Sequence, residues 1–347
     1  MTVVQGLEGV VVAETRLSHV DGEKGELIIA GSAVENLAGQ RRFEEVCALL
    51  WGVPSVTLGE ARQAAFALLP SLGRALELAD GMDALRAAVA QLPSSTDELH
   101  VAAAVGVFAS AWARRQAGRE PLRPDSSLAH AADVLRMVTG EADDARAAGL
   151  DAYLVTVSDH GMNASTFTAR VIASTQSDLV SAVTGAIGAL KGPLHGGAPG
   201  PVLDMLDAVG APERAEAWLT AELDARRRVM GMGHRVYRVR DPRAAVLEVA
   251  LERLERAGVR SARLPLARAV ERAATRVLAA RYPDRSLQAN VEFYTAVLLD
   301  AVGLPRTLFS PMFAVGRVAG WCAHVAEQRA TGRLIRPDSR YVGPRVS

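Results

Sequence analysis

The chain has 347 residues, enough for about two domains, and nearly half of them (49%) are apolar, which allows a large core. Formal net charge is zero, and all but two of the 39 basic residues (Lys24 and Lys191) are arginines, so nothing points to nucleic acid or an anionic membrane as partner. Two cysteines, Cys47 and Cys322, make neither a disulfide framework nor a metal-ligand spacing and fit a reducing cytoplasm. Met1 to Val12 lacks the basic start and cleavage site of a signal peptide.

In chain order, Val10-Val11-Val12 and Leu27-Ile28-Ile29 flank an Asp21-Gly22 turn signal and predict a small β unit. The helical period then takes over. Phe43, Val46, Cys47, Leu50 and Trp51 share one face. Thr57 with Glu60 reads as a capping box ahead of a helix from Ala61 to Leu69. The uncharged stretch from Val101 to Ala113 is too short for a membrane span of roughly 20 residues and predicts a buried helix. Leu247, Ala250, Leu251 and Leu254 mark a further amphipathic helix, and long β-rich runs are absent, so the class is mostly α. Glycine and proline punctuate the chain near Pro193–Pro201 and Gly303–Pro305. These edges predict a small helical domain over 199–302 inserted in a larger one made of 1–198 and 303–347, with a ligand cleft between them.

The residues that carry chemistry lie near those edges. His195 sits in Gly192-Pro193-Leu194-His195-Gly196-Gly197, His234 in Gly231-Met232-Gly233-His234, and Glu292 in Asn290-Val291-Glu292-Phe293. Glycine lets backbone approach a ligand closely, imidazoles donate or move protons near neutral pH, and a carboxylate serves as base. Together they suit proton abstraction beside a carbonyl. The His195 turn is not an α/β-hydrolase loop, because no Gly-x-Ser-x-Gly elbow accompanies it. Gly231-x-Gly233 lacks the third glycine of a dinucleotide fingerprint. Arg235, Arg238, Arg240 and Arg243 read equally as a solvated face or as anion contacts. Arg317 lies in the apolar run Pro311–Trp321, where a buried guanidinium needs either an internal carboxylate or an anionic ligand. His160, in Asp159-His160-Gly161-Met162-Asn163, is either a helix-end residue or a ligand contact.

The order and wording of these segments resemble the citrate synthase family over almost the whole chain. The resemblance is carried by Gly6-Leu7-Glu8-Gly9-Val10, Asp21–Leu27, Ser158–Phe167, Lys191–Gly197, Gly231–Tyr237, Asp241-Pro242-Arg243, Arg333–Pro337 and Tyr341–Pro344, in the shorter bacterial and archaeal form. It implies an all-α, two-domain homodimer that condenses acetyl-CoA with oxaloacetate and hydrolyses the citryl-CoA thioester, without metal or cofactor. His195 then matches the donor to the thioester oxygen, His234 the group that polarises the oxaloacetate ketone, and Glu292 the base. His160, Arg243, Phe313 and Arg317 match oxaloacetate contacts, Arg336 a carboxylate contact given by the partner subunit, and Arg238 a CoA phosphate contact. Three departures stand out: Glu292 replaces the family's Asp, Val157 stands where another His is common, and the loop at Pro93–Thr96 is short. A 2-methylcitrate synthase using propionyl-CoA would need the same groups, and a low-turnover paralogue that binds CoA and dicarboxylate is the reading from a different class.

Overall fold

The computed structural model describes residues 5–7, 9–195, 199–234, 236–261 and 263–344. Glu8, Gly196, Gly197 and Arg235 of the motifs above lie outside them.

Three antiparallel strands open the fold: β1 (Ser18–Asp21), β2 (Glu26–Ile29) and β3 (Ser32–Ala33). Ser18 pairs with Ile29 and Asp21 with Glu26, so the partner of Leu27–Ile29 is Ser18–Asp21 and not Val10–Val12 as the sequence predicted. The Asp21-Gly22 turn signal decides this, because Asp21 Oδ1 accepts from the backbone N–H groups of Glu23 and Lys24 and closes a tight hairpin right after β1. Val11, at 86% exposed, has no apolar surface to hold it in a sheet.

The rest is helical. The chain continues through α1 (Val34–Leu37), α2 (Phe43–Trp51), α3 (Gly59–Ala67), α4 (Gly81–Val89), α5 (Glu98–Gln116), α6 (His130–Thr139), α7 (Asp144–Val157), α8 (Ala164–Ser174) and α9 (Leu179–Leu190). It ends with α10 (Pro199–Val209), α11 (Ala215–Asp224), α12 (Pro242–Arg256), α13 (Leu264–Arg281), α14 (Val291–Ala301) and α15 (Phe309–Thr331). The predicted faces are inside. Phe43, Val46, Cys47 and Leu50 are buried on α2, every residue from Val101 to Ala113 is buried on α5, and Leu247, Ala250, Leu251 and Leu254 are buried on α12. The predicted Thr57 capping box is not formed. Helix α3 starts at Gly59, ahead of the predicted Ala61, and the missing Cβ of Gly59 lets it lie against the Ser126 carbonyl, where a Cβ would come within 2.3 Å. Among the described residues no helix is long and apolar enough to cross a membrane.

Two packing features place the chemistry. Helix α15 runs through the large core and presses on the end of α7 through Gly316 and Gly320. A Cβ on Gly316 would meet Val157 Cγ2 at 2.5 Å, and one on Gly320 would meet the Ser158 carbonyl at 2.4 Å. Arg317 lies between these glycines and is carried into the interface by that close approach. Helices α10 to α14 pack on one another, α11 on α13 and both α10 and α12 on α14. This group meets the rest of the chain where α12 and α14 rest on α7 and α10 rests on α15.

Candidate active site

Residues 231–234 and 236–241 are irregular and are fastened to the segment that enters α14. Gly231 and Gly233 have φ of 72° and 82°, which side-chain-bearing residues rarely adopt, and a Cβ on Gly231 would strike Phe293 at 2.9 Å. Gly233 N–H donates to the Gln288 carbonyl (2.7 Å), Asn290 N–H to Gly231 (2.9 Å) and Asn290 Nδ2 to Gly233 (2.8 Å). Asn290 also caps α14, its Oδ1 accepting from Glu292 N–H (3.0 Å). One residue therefore fixes the His234 turn and the start of the helix carrying Glu292.

His234 Nδ1 accepts from the backbone N–H groups of Val236 (3.0 Å) and Tyr237 (3.2 Å), so the network assigns the proton of the neutral ring to Nε2. Burial, reinforced by Arg243, lowers its pKa to about 4, and the ring is neutral at pH 7. Nε2 faces Arg243 Nη2 at 3.3 Å. Two donors opposed at that distance leave room for an acceptor oxygen that both can reach. His160 joins them, its Nε2 3.1 Å from the Tyr237 hydroxyl and its ring edge-on to His234.

Asp241 caps α12 and grips Arg243 in a bidentate pair, with Oδ1 to Nε at 3.0 Å and Oδ2 to Nη2 at 2.8 Å. Its Oδ2 also accepts from Val291 N–H (3.1 Å), which ties the starts of α12 and α14 together. Arg243 thus has an internal carboxylate. Arg317 does not: its Nε donates to the Val157 carbonyl, its guanidinium stacks on Phe313 at 4.8 Å, and its Nη2 is buried without a partner among the described residues. Burial, opposed by Asp159, lowers the Arg317 pKa to about 10, so the group remains charged at pH 7. Asp159 pairs through Oδ2 with His324 Nε2 at 3.2 Å, and its Oδ1 is buried without a partner among the described residues. The Arg240 of the same arginine cluster is a structural group, paired with Glu248 and Glu271.

Glu292 stands in the first turn of α14 with Oε2 buried and unpartnered. Burial pushes its pKa up to about 7, although Arg243 pulls the other way. This is a carboxyl poised between acid and base at physiological pH. His195 reaches the pocket from another direction. Its Nε2 lies 2.8 Å from Ser165 Oγ and 3.3 Å from Ser165 N, at the start of α8. Ser165 Oγ accepts from Trp321 Nε1 (3.1 Å), so its own proton is free to go to His195 Nε2 or to Asn163 Oδ1. With Nε2 accepting, the ring proton sits on Nδ1. Burial again lowers the pKa to about 4. Phe313 lies edge-on to His195, with ring centroids 6.4 Å apart.

Two predicted residues are not in this pocket. Arg238 is exposed on the outer side of the same turn, 4.0 Å from Glu23. Arg336 is exposed in the C-terminal tail, in a surface groove of about 530 Å³ lined also by Val12, Phe167 and Gln328. Sequence reading missed Asp241, Asn290, Ser165, Trp321 and Tyr237 as parts of the machinery. Four of them lie within the recognised motifs or beside their chemical residues, and that adjacency was the available signal. Trp321 had none, since it meets Ser165 only through helix packing.

The family model for the citrate synthase C-terminal domain matches residues 6–338. A putative citrate synthase 2 of Mycobacterium tuberculosis is 41% identical over 98% of this chain and 93% of its own length. The citrate synthase of Haloferax volcanii is 39% identical over 98% and 95%. The crystal structure of citrate synthase from Thermotoga maritima superposes with a TM-score of 0.86 at 33% identity, covering 100% of this chain and 97% of that one. The ternary complex of carboxymethyl coenzyme A and oxaloacetate with citrate synthase from Thermoplasma acidophilum gives 0.89 at 27% identity, covering 100% and 97%. With its fold, its motifs and its full-length relatives in agreement, the chain belongs to the citrate synthase family.

Proposed function

We propose that this protein condenses acetyl-CoA with oxaloacetate and hydrolyses citryl-CoA to citrate and CoA. The observation that carries this reading is one cluster of side chains that combines two buried groups without partners among the described residues with two neutral imidazoles. The unpartnered groups are a carboxylate oxygen on Glu292 and a guanidinium nitrogen on Arg317, and the imidazoles are those of His195 and His234. Glu292 takes a methyl proton from acetyl-CoA while His195 Nδ1–H donates to the thioester oxygen as charge develops there. The resulting carbon attacks the oxaloacetate ketone, whose oxygen accepts from His234 Nε2–H. Arg243, Arg317 and His160 hold the dicarboxylate, which fixes the reacting face. Neutral histidines suit both donor roles, because an imidazolium would surrender its proton rather than share it.

In this reading residues 199–302 form a small domain that closes on the rest of the chain and excludes water before condensation. The protein is a homodimer. Arg336 serves the partner's pocket, which accounts for its exposure and its distance in sequence from its own site, and Arg238 meets a CoA phosphate. Acetyl-CoA is a substrate, and the proposed steps need no cofactor. The test is thiol release from acetyl-CoA with oxaloacetate, run beside propionyl-CoA. Release from neither acyl-CoA would sink the reading, and a clear preference for propionyl-CoA would replace it with 2-methylcitrate synthesis. Truncation after Gly332 should abolish turnover while helix content by circular dichroism stays nearly unchanged. Full activity in a soluble monomer would refute the shared site.

A further inference from the structure

Tyr153 lies on α7, one helical turn before Val157, and is 1% exposed. Helices α12, α14 and α15 all pack on α7, and they carry Arg243, Glu292 and Arg317. Val157, one turn further along α7, holds Arg317 Nε through its carbonyl and so places the guanidinium beside the last turn of α7. The charges of Arg317, Glu292 and Arg243 all bear on the Tyr153 hydroxyl, which burial keeps protonated far above neutral pH. Yet that hydroxyl has no hydrogen-bond partner among the described residues.

A buried phenol normally finds an acceptor, because an unmade hydrogen bond costs free energy in an interior. Among the described residues Glu292 Oε2 and Asp159 Oδ1 are buried acceptors near these charges that take no hydrogen bond, from Tyr153 or from any other donor, while Arg317 Nη2 is a second unpaired donor. Two donors from neighbouring elements, one of them cationic, suit a carboxylate with two acceptor oxygens. From this convergence we infer that Tyr153 is a substrate-binding residue whose hydroxyl donates to the oxaloacetate carboxylate held by Arg317. The proposal rests on the synthase reading above and adds a contact to it. It also gives a reason for a polar side chain on a part of α7 where packing alone would favour an apolar one.

Tyr153→Phe removes one oxygen and breaks no hydrogen bond of the fold, so the variant should melt no lower than the wild type. Calorimetry of the full chain should show oxaloacetate binding weakened by about tenfold or more, the scale expected for a hydrogen bond to a charged group. KM for oxaloacetate should rise in step, with KM for acetyl-CoA unchanged and kcat reduced much less. Equal oxaloacetate affinity in the two proteins would overturn the assignment, leaving Tyr153 as a core residue. A fall in kcat with a shifted pH profile and unchanged oxaloacetate affinity would overturn it too, because the hydroxyl would then act on Glu292. If wild type itself fails to bind oxaloacetate, the synthase reading falls first. Should the Phe variant not fold, 3-fluorotyrosine placed at position 153 is the second route. Its fluorine signal should move on adding oxaloacetate and stay put with CoA alone, and no movement with oxaloacetate would refute the contact.

Discussion

The two buried arginines of the pocket stand in opposite electrostatic situations. Arg243, at the start of α12, is paired through Nε and Nη2 with Asp241, which in turn holds Val291 and so the start of α14. Arg317, in the middle of α15, is held only by a backbone carbonyl and the face of Phe313, with one nitrogen unpaired. The first region is a frame closed by its own hydrogen bonds. The second is a place where the fold leaves charge exposed to whatever enters. In the proposed function the first region keeps the geometry of the site and the second offers its unpaired donor to the substrate.

Removing the base should be the largest single break. Glu292→Gln keeps the shape of the side chain but cannot take a proton, so kcat should fall by about 10³-fold or more, near the upper range for general-base catalysis. Exchange of the acetyl-CoA methyl protons with solvent, measured with an oxaloacetate analogue bound, should fall with it. Equal exchange in both proteins would remove Glu292 from the mechanism and favour the low-turnover binding paralogue. The same variant should melt at a higher temperature than wild type at pH 8. The folded pKa of about 7 lies above the ordinary carboxyl value, so folding is disfavoured as pH rises past that value and Glu292 ionises in the interior.

The two arginines should then separate by what they cost. Arg317→Leu should weaken oxaloacetate binding by about 2–5 kcal/mol in calorimetry, with little loss of thermal stability because no internal ion pair is broken. Arg243→Leu should weaken binding and also destabilise the fold by about 3–5 kcal/mol, since Asp241 would be left buried without its counter-charge. Equal stability losses in the two variants would contradict the contrast between frame and open charge.

His195→Ala and His234→Ala should each stay folded and lose about 10²-fold or more in kcat, the scale of one lost oxyanion donor. Near-wild-type turnover in either would exclude that ring from its proposed role. The smallest effect is on pH. Because the base must be ionised and burial sets Glu292 at about 7, kcat/KM should rise as pH increases from 6 to 8 and level off above. The histidines, at about 4, are already neutral throughout that window. A flat profile between 6 and 8 would place the working carboxyl elsewhere.

The helical faces of α2 and α12 were legible because burial on one side of a helix imposes its period on the side chains, and α5 was legible because a long uncharged stretch marks a helix buried all round. His195, His234 and Glu292 were named from glycine turns and motif wording, and the roles given to them belong to the proposed function. The strand partner of Leu27–Ile29 was misassigned to Val10–Val12, since apolar composition alone does not show which segment a turn can close against. The start of α3 was misplaced for a similar reason: the contact of Gly59 with Ser126 is a matter of packing, invisible in a local capping pattern.

What the amino-acid order determined by itself is therefore the mostly helical class, the family and the names of the chemical groups, all written in local spacing and motif wording. Only tertiary structure decided which arginine is paired and which is free, which nitrogen of each histidine carries the proton, and that Glu292 is desolvated. Some of those properties depend on residues more than a hundred positions apart, such as Val157 with Arg317 or Ser165 with Trp321, and others on how a local turn aims neighbouring groups, as for Asp241 with Arg243 and His234 with Val236. Burial and hydrogen bonding act through space, and sequence distance carries no record of them.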